Sequence, residues 1–216
     1  MGTYNPGAFG PFNGKIGHVV AARWKKLKVV KNTPSKSTKA PTLGQLEQRA
    51  VFGMVTRFTG IAAKLISIGF PSVSSPHSPI NVAVRDILKR AVIGTYPDFK
   101  LDYEKVKLSK AVKMNPTLKP KILAEAGSTV KVSWAIDPNA GFGTSATDRA
   151  CIFIYNPTLD SGLTSWEGLV RSSLSADFML PYDYVGTLIH CWIFFVSKDG
   201  KFASQTDHVG SVTVLE

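Results

Sequence analysis

The sequence predicts an α+β protein in which a β-hairpin and a helical hairpin precede a C-terminal β-sandwich. Period-two alternation of apolar residues over residues 16–30 indicates the β-hairpin. Apolar residues that recur every three or four positions between residues 42 and 94 indicate two helices. Beyond residue 121, six or seven short apolar or alternating runs, separated by turn residues, indicate the sandwich.

The segment before the hairpin has the composition of an arm. Residues 1–14 combine four glycines and two prolines with Tyr4, Phe9 and Phe12, which disfavours a regular element. Such a segment either frays or docks its aromatic rings on another surface, such as a neighbouring subunit. In the hairpin, one predicted strand face holds Ile16, His18, Val20, Ala22 and Trp24. A basic linker rich in Ser, Thr and Pro follows.

Two amphipathic helices come next. Thr42 is the predicted N-cap of one long helix, with Gln45 completing a capping box and Gly69 marking the helix end. The second helix begins after Ser78, with Pro79 at the first helical position. We expect the two helices to pack together as a helical hairpin.

The rest of the chain is predicted to be β-structure. Residues 101–113 alternate basic and apolar side chains, which predicts one strand. A buried Trp134 and a hairpin turn at Asp199-Gly200 are typical of an immunoglobulin or fibronectin sandwich. Further strands are predicted at residues 130–136, 151–155, 178–180, 188–196, 202–206 and 212–214. We place the domain boundary between a basic N-terminal region, residues 1–117, and a sandwich domain, residues 118–216.

Cys151 and Cys191 are the only cysteines, and both lie in apolar runs. One interpretation is a pair of reduced thiols in the core. The alternative is an inter-sheet disulfide, which needs an oxidising compartment and Cα atoms within about 7 Å of each other. We favour thiols, because the N-terminus does not resemble a secretory signal sequence.

Charge is distributed unevenly along the chain. Residues 1–120 carry 20 Lys and Arg against five Asp and Glu, whereas residues 121–216 carry six against ten. A basic first half suits phosphates, another anionic surface, or the acidic half of a second copy. No run approaches the roughly 20 apolar residues of a membrane span. We therefore expect a soluble protein that is made in the cytoplasm. Its final location is not determined by the sequence, and a released or extracellular assembly is one alternative.

No catalytic or metal-binding motif stands out in the sequence. The four histidines have no partner at catalytic or metal-ligand spacing, and His190 and Cys191 would point to opposite faces of a strand. His208 is predicted to lie in a surface turn. Residues 141–146 have the glycine spacing of a dinucleotide fingerprint but open no helix, so we predict a loop. The sequence thus predicts a non-enzymatic protein without metal or cofactor.

The candidate site is a basic and aromatic group of residues near the N-terminus. Three roles are open for this group. Its cations would neutralise the phosphates of a nucleic acid while Trp24 stacks on a base, or they would contact the acidic half of another subunit. In the third role they only keep the surface hydrated. Arg85, Lys89 and Arg90 on the second predicted helix extend the basic region. The predicted contact residues are Tyr4, Phe9, Phe12, Lys15, Arg23, Trp24, Lys25, Lys26, Lys28 and Lys31.

Motifs along nearly the whole chain resemble one protein family. They are Gly7-Ala-Phe-Gly-Pro-Phe-Asn-Gly-Lys-Ile-Gly-His-Val-Val, Arg23-Trp24-Lys25, Thr42-x-x-Gln45-x-x-Gln48-Arg49, Gly94-Thr-Tyr-Pro-Asp-Phe with Asp102-Tyr103, and Asp199-Gly200-Lys201. Together they resemble a family of Bacteroidota proteins known only as a domain of unknown function. The resemblance implies membership and no activity. The Gly-Lys-Ile-Gly-x-Val-Val start also resembles the arms of self-assembling structural proteins.

The leading hypothesis from the sequence is a structural subunit that self-associates into a filament, tube or particle. The arm and basic hairpin of one copy would dock on the acidic sandwich of the next. The second hypothesis is a nucleic-acid-binding protein that uses the basic region. The third is a surface- or glycan-binding sandwich with Trp166 or Tyr182 as a stacking platform.

Overall fold

The computed structural model describes residues 2–4, 10, 12–24, 27–35, 38–71, 78–139, 141 and 143–216. The chain forms two compact units, Met1–Leu43 and Gly44–Glu216. This division differs from the predicted boundary between residues 117 and 118. The sandwich does begin at residue 118, but the helices before it belong to the same unit, because their apolar faces are buried on one of its sheets.

A four-stranded antiparallel sheet makes up the first unit, in the order β1-β4-β3-β2. The strands are β1 (Gly2–Thr3), β2 (Gly14–Ile16), β3 (Val19–Trp24) and β4 (Leu27–Asn32). Strands β3 and β4 are the predicted hairpin. The prediction that Ile16 and Val20 share one face of a strand is wrong. A turn at Gly17 and His18 separates them, so Ile16 pairs with Val19 and lies on the opposite face from Val20. Gly17 has a φ of 59°, which suits the first central position of a two-residue hairpin turn.

Three helices open the second unit, and the long predicted helix is bent. They are α1 (Leu43–Ile61), α2 (Ala63–Gly69) and α3 (Pro79–Arg90). Helices α1 and α2 meet at an angle of 78°. The bend allows Phe58 of α1 and Ile66 of α2 both to be buried in one core. Ser78 caps α3 as predicted, since its Oγ accepts a hydrogen bond from the backbone N–H of Asn81 at 3.2 Å.

In the described ranges no single helix is long and apolar enough to cross a membrane. Helices α1 and α2 meet the length and composition of a span only when taken together across their bend. Buried core helices of globular proteins have the same composition, and these two helices contribute to a hydrophobic core.

The strand predicted at residues 101–113 is wrong. The elements found there are β5 (Val92–Ile93), its partner β6 (Lys100–Leu101) and a 3-10 turn (Tyr103–Lys105). Between this turn and residue 113, the chain makes one isolated β-bridge, between Val112 and Ala203. In this irregular segment Val106 and Leu108 are buried and Lys105 is exposed. Alternate burial without a strand therefore explains why the sequence alternates between apolar and basic residues.

Seven strands form the predicted sandwich. They are β7 (Leu118–Glu125), β8 (Thr129–Ala135), β9 (Arg149–Asn156), β10 (Ser161–Ser165), β11 (Ser175–Met179), β12 (Leu188–Val196) and β13 (Asp207–Thr213). One antiparallel sheet has the order β11-β8-β7 and the other the order β10-β9-β12-β13. This division of seven strands is that of a fibronectin type III sandwich, as predicted. The strand predicted at residues 202–206 is wrong, since Ala203 makes only isolated bridges, to Val196 and to Val112, before β13 begins.

Strands β9 and β12 separate two hydrophobic cores. On one face, side chains such as Phe153 and Trp192 pack against the three helices. On the other face, side chains such as Ile152 and Phe195 pack against the three-stranded sheet, where Trp134 is buried as predicted. The second unit therefore has three layers, with the four-stranded sheet in the middle.

Cys151 and Cys191 are buried free thiols on opposite faces of this middle sheet. Cys151 belongs to the helix-side core and Cys191 to the core between the sheets. Their side chains point away from each other, which excludes the alternative of a disulfide between them. Burial raises the pKa of the Cys151 thiol to about 12 and also raises the pKa of Cys191.

Candidate polyanion-binding surface

The first unit carries the predicted contact residues and has no acidic side chain. Residues 1–43 hold eight of the 26 Lys and Arg residues and none of the 15 Asp and Glu residues. No carboxylate side chain of this unit is therefore present to neutralise its cations. The basic region predicted from sequence is divided between the units, because Arg85, Lys89 and Arg90 belong to α3.

Cations occupy both faces of the sheet formed by β1 to β4, called here the basic sheet. Lys15 and Lys31 are both in register with Val20, so two lysines flank one apolar residue on the same face. Arg23 and Lys28 lie directly opposite each other on the other face. Like charges in directly opposite positions repel, so an anion bound beside them would stabilise the sheet.

The basic sheet buries few apolar side chains. Ala21 and Val29 are the buried apolar residues within its described part, and they lie on opposite faces. Ile16 is 62% exposed and Leu27 is 48% exposed. A small sheet without a buried hydrophobic face is marginally stable. A ligand or partner that covers this sheet would therefore add substantially to its stability.

The described part of the predicted arm folds onto the basic sheet. The backbone N–H of Tyr4 donates to the carbonyl of Lys28 at 3.2 Å. The Tyr4 hydroxyl donates to the carbonyl of Phe12 at 3.0 Å, and the two ring centroids are 5.4 Å apart. The structure thus brings Tyr4 and Phe12 together within one unit. Outside the described residues lie Phe9, Lys25, Lys26 and the side chain of Trp24.

The sequence did not predict a histidine pair in the second unit. His208 lies in β13 instead of a turn, and its Nε2 is 3.2 Å from the Nδ1 of His190 in β12. The ring of Tyr103 packs on His190 with centroids 4.1 Å apart. Burial, followed by the charge of His208, lowers the pKa of His190 to about 4, and burial also lowers the pKa of His208.

Strand register creates this histidine pair, and no spacing along the sequence signals it. The two residues are 18 positions apart and meet only because β12 and β13 are neighbours. For the part of the chain that the structure describes, no group of three His, Cys, Asp or Glu residues is placed to hold a metal ion.

A second polar cluster ties α1 to the turn between β9 and β10. The carboxylate of Asp160 accepts hydrogen bonds from the Tyr155 hydroxyl at 2.7 Å and from Arg57 Nη1 at 3.2 Å. Burial and the bond to Asp160 raise the pKa of Tyr155, so this phenol stays protonated and is not a base. These hydrogen bonds therefore stabilise the packing of α1 on the sandwich.

The remaining predicted features lie in separate places. Lys64 Nζ is 5.6 Å from the ring centroid of Trp166 and occupies one face of this proposed stacking platform. Tyr182 is 73% exposed. The described residues of the segment with dinucleotide-like glycine spacing, 141 and 143–146, lie in a loop before β9, as predicted. The N–H of Thr144 donates to the carbonyl of Gly141.

Comparison with known proteins identifies a family and similar folds. The sequence model of a family described as "Family of unknown function (DUF6266)" matches residues 11–210. No curated protein matches the sequence. Among solved structures, the fn3 domain of human collagen alpha-1(XX) chain is 12% identical with a TM-score of 0.36, and the match covers 50% of this chain and 92% of that chain.

Two further structures are similar at the same level. The fn3 domain of human contactin 1 is 9% identical with a TM-score of 0.33, over 50% of this chain and 84% of that chain. Domains d3-d4 of the rat CD45 extracellular region are 9% identical with a TM-score of 0.35, over 93% of this chain and 97% of that chain. Because these TM-scores are below 0.5, the fold assignment rests on the strand order of the sandwich.

Proposed function

This chain belongs to DUF6266, a family of unknown function, and we propose that it is a non-enzymatic binding protein whose basic sheet holds nucleic acid. The observation that carries the proposal is charge, because the unit Met1–Leu43 has eight Lys and Arg residues and no Asp or Glu. Such a surface neutralises backbone phosphates without reading base sequence. Binding at this sheet requires no cofactor.

The charge of the whole chain favours nucleic acid over self-assembly as the primary role. Each copy carries a formal charge of +11. If subunits assembled through their basic and acidic surfaces, each added subunit would raise the net charge of the assembly by this amount. The resulting repulsion between subunits opposes further assembly. A polyanion removes the repulsion, and the release of its condensed counterions contributes further to binding.

Fluorescence anisotropy with labelled single- and double-stranded oligonucleotides, between 0.05 and 0.3 M salt, tests the proposal. The test variant replaces three described lysines of the basic sheet by glutamine, and a matched control removes the same charge from the sandwich. The test substitutions are Lys15→Gln, Lys28→Gln and Lys31→Gln, and the control substitutions are Lys121→Gln, Lys198→Gln and Lys201→Gln.

We expect the wild-type protein to bind both oligonucleotides with an affinity that falls steeply with salt. Each lost phosphate contact lowers the magnitude of the slope of log K against log salt by roughly 0.7 to 0.9, so the loss of three contacts should lower it by about 2 to 3. The control should retain the wild-type slope. Absence of binding by the wild-type protein at 0.05 M salt, or an equal loss in both variants, contradicts the proposal.

Self-association through the basic sheet is a second candidate function. It is supported by the exposure of Ile16 and Leu27 and by the few apolar side chains that the sheet buries. A second copy covering either face would bury this apolar surface. For the arm to dock on a neighbour, Tyr4 would have to exchange its contact with Phe12 for one on the other subunit.

A further inference from the structure

A basic cleft lies in the second unit, between α3 and the extended chain around residues 107–111. Its volume is about 410 Å³. Phe70 and Val82 contribute an apolar part of the lining. The cations that line the cleft are Arg85, Lys89, Arg90, Lys107 and Lys110.

The cleft has a large excess of positive charge. Its one lining carboxylate is Asp86, whose Oδ1 lies 2.9 Å from Nε of Arg90, one turn further along α3. Asp86 and Arg90 therefore offset each other. The other four lining cations form no ion pair with any residue that the structure describes. A concave surface with four unneutralised cations attracts a multivalent anion.

One wall of the cleft is held in place by hydrogen bonds to neighbouring segments of the second unit. Lys107 Nζ donates to the carbonyl of Thr206 at 3.1 Å, and the backbone N–H of Leu108 donates to the Thr206 hydroxyl at 3.0 Å. The N–H of Lys110 donates to the carbonyl of Gly69 at 2.9 Å. On the other wall, Arg85 and Lys89 are four residues apart and so share one face of α3. A ligand that enters the cleft therefore meets one wall whose backbone is already ordered.

We infer that this cleft binds phosphate groups, and specifically a ligand with two or more linked phosphates. Arg85 suits the geometry of phosphate oxygens, and the lysines add charge without demanding a particular geometry. Two linked phosphates match the four cations better than a single carboxylate does. The ligand is either a small polyphosphate compound such as a nucleotide or a segment of nucleic-acid backbone.

Isothermal titration of the full-length protein with inorganic pyrophosphate, at 0.05 and 0.15 M salt, tests this inference. The test variant carries Arg85→Gln and Lys110→Gln, both at exposed positions on opposite walls. The charge-matched control carries Lys64→Gln and Lys121→Gln, away from the cleft. Thermal unfolding of each variant checks that the fold is retained. A second test variant, Lys89→Gln, removes a single charge and provides an independent measurement.

We expect pyrophosphate affinity to fall at least tenfold in the double variant and severalfold in Lys89→Gln, and to stay within twofold of wild type in the control. No pyrophosphate binding by the wild-type protein at 0.05 M salt, or equal affinity in the test and control variants, overturns the inference.

Two further titrations identify the source of the phosphates. Tighter binding of ATP than of pyrophosphate, lost in the same variants, supports a nucleotide that uses the apolar lining. Binding of an oligonucleotide that weakens in these variants supports a nucleic-acid backbone. The triple variant of the basic sheet should keep its pyrophosphate affinity, so failure of the nucleic-acid proposal and failure of this inference are distinguishable.

Discussion

The contact between His190 and His208 makes the stability of the second unit depend on pH. A histidine in an unfolded chain titrates near pH 6.5, whereas His190 in the fold titrates near 4. Between these values the unfolded state binds a proton that the folded state does not, so the free energy of unfolding rises with pH. This stability is fully present above about pH 6.5 and is lost as pH falls through 4.

Urea unfolding at several pH values between 7.5 and 4 measures this effect. His190→Phe keeps an aromatic ring beside Tyr103 and removes the titrating group, so we expect a flatter pH dependence than in the wild-type protein. The difference between the two proteins isolates the effect of His190 from that of His208, whose pKa is lowered by burial and partly restored by the carboxylates of Glu104 and Asp102. Identical pH profiles for the two proteins would show that His190 titrates normally.

At the scale of single residues, the sequence shows where charged residues are concentrated, but it does not show which side chains lie close together in the fold. The basic character of this sheet could be predicted, because the number of its lysines and arginines and the lack of acidic residues among them are visible in the sequence. The pairing of Lys15 and Lys31 beside Val20 could not, because it depends on the register of three strands. Asp160, which binds residues of both α1 and β9, depends on tertiary packing in the same way.

At the scale of elements, the end of α2 approaches the following chain closely. A Cβ added at Gly69 would meet the carbonyl oxygen of Leu108 and lie 2.8 Å from the Cβ of Ser109. We expect Gly69→Ala to lower the free energy of unfolding by about 1–3 kcal/mol, because helix and loop must move apart. Chemical denaturation measures the change.

Gly53 in α1 is the matched control for this substitution. A Cβ at Gly53 would have no neighbour within 4 Å, so Gly53→Ala should stabilise the protein by up to about 1 kcal/mol through helix propensity. Equal stability of the two alanine variants would argue against the close approach at Gly69.

The elements themselves differ in how far local pattern determines them. Helix α3 could be predicted with its cap because Ser78 and Pro79 act locally. The bend between α1 and α2 could not, since the apolar stripe in the sequence continues through it. The segment after β6 alternates like a strand, but its backbone bonds to the Thr206 side chain instead of to a neighbouring strand.

At the scale of the whole molecule, charge should decide whether the protein associates with itself. Light scattering on nucleic-acid-free protein at 0.05 and 0.5 M salt tests this. With the repulsion of +11 per copy dominant, we expect no growth beyond small species at 0.05 M salt and more association at 0.5 M, where repulsion is screened. Large regular particles at low salt that dissolve at high salt would instead support assembly by opposite charges.

The architecture of the second unit was predictable in part. Alternation and turn residues in the sequence indicate a sandwich, and the apolar run around Phe153 indicates a strand buried on both faces. A run of this kind does not say what covers each face. In the structure, helices cover one face of the middle sheet and three strands cover the other. The helices and the sandwich therefore form one unit.

The placement of one cysteine in each core gives the protein two internal probes of local opening. A thiol reagent reaches Cys151 only when the helices lift from the middle sheet, and Cys191 only when the two sheets separate. Labelling rates of the variants Cys191→Ala and Cys151→Ala would therefore report the two motions one at a time. If the layers open independently, the two rates differ and respond separately to urea. If they open together, both follow global unfolding.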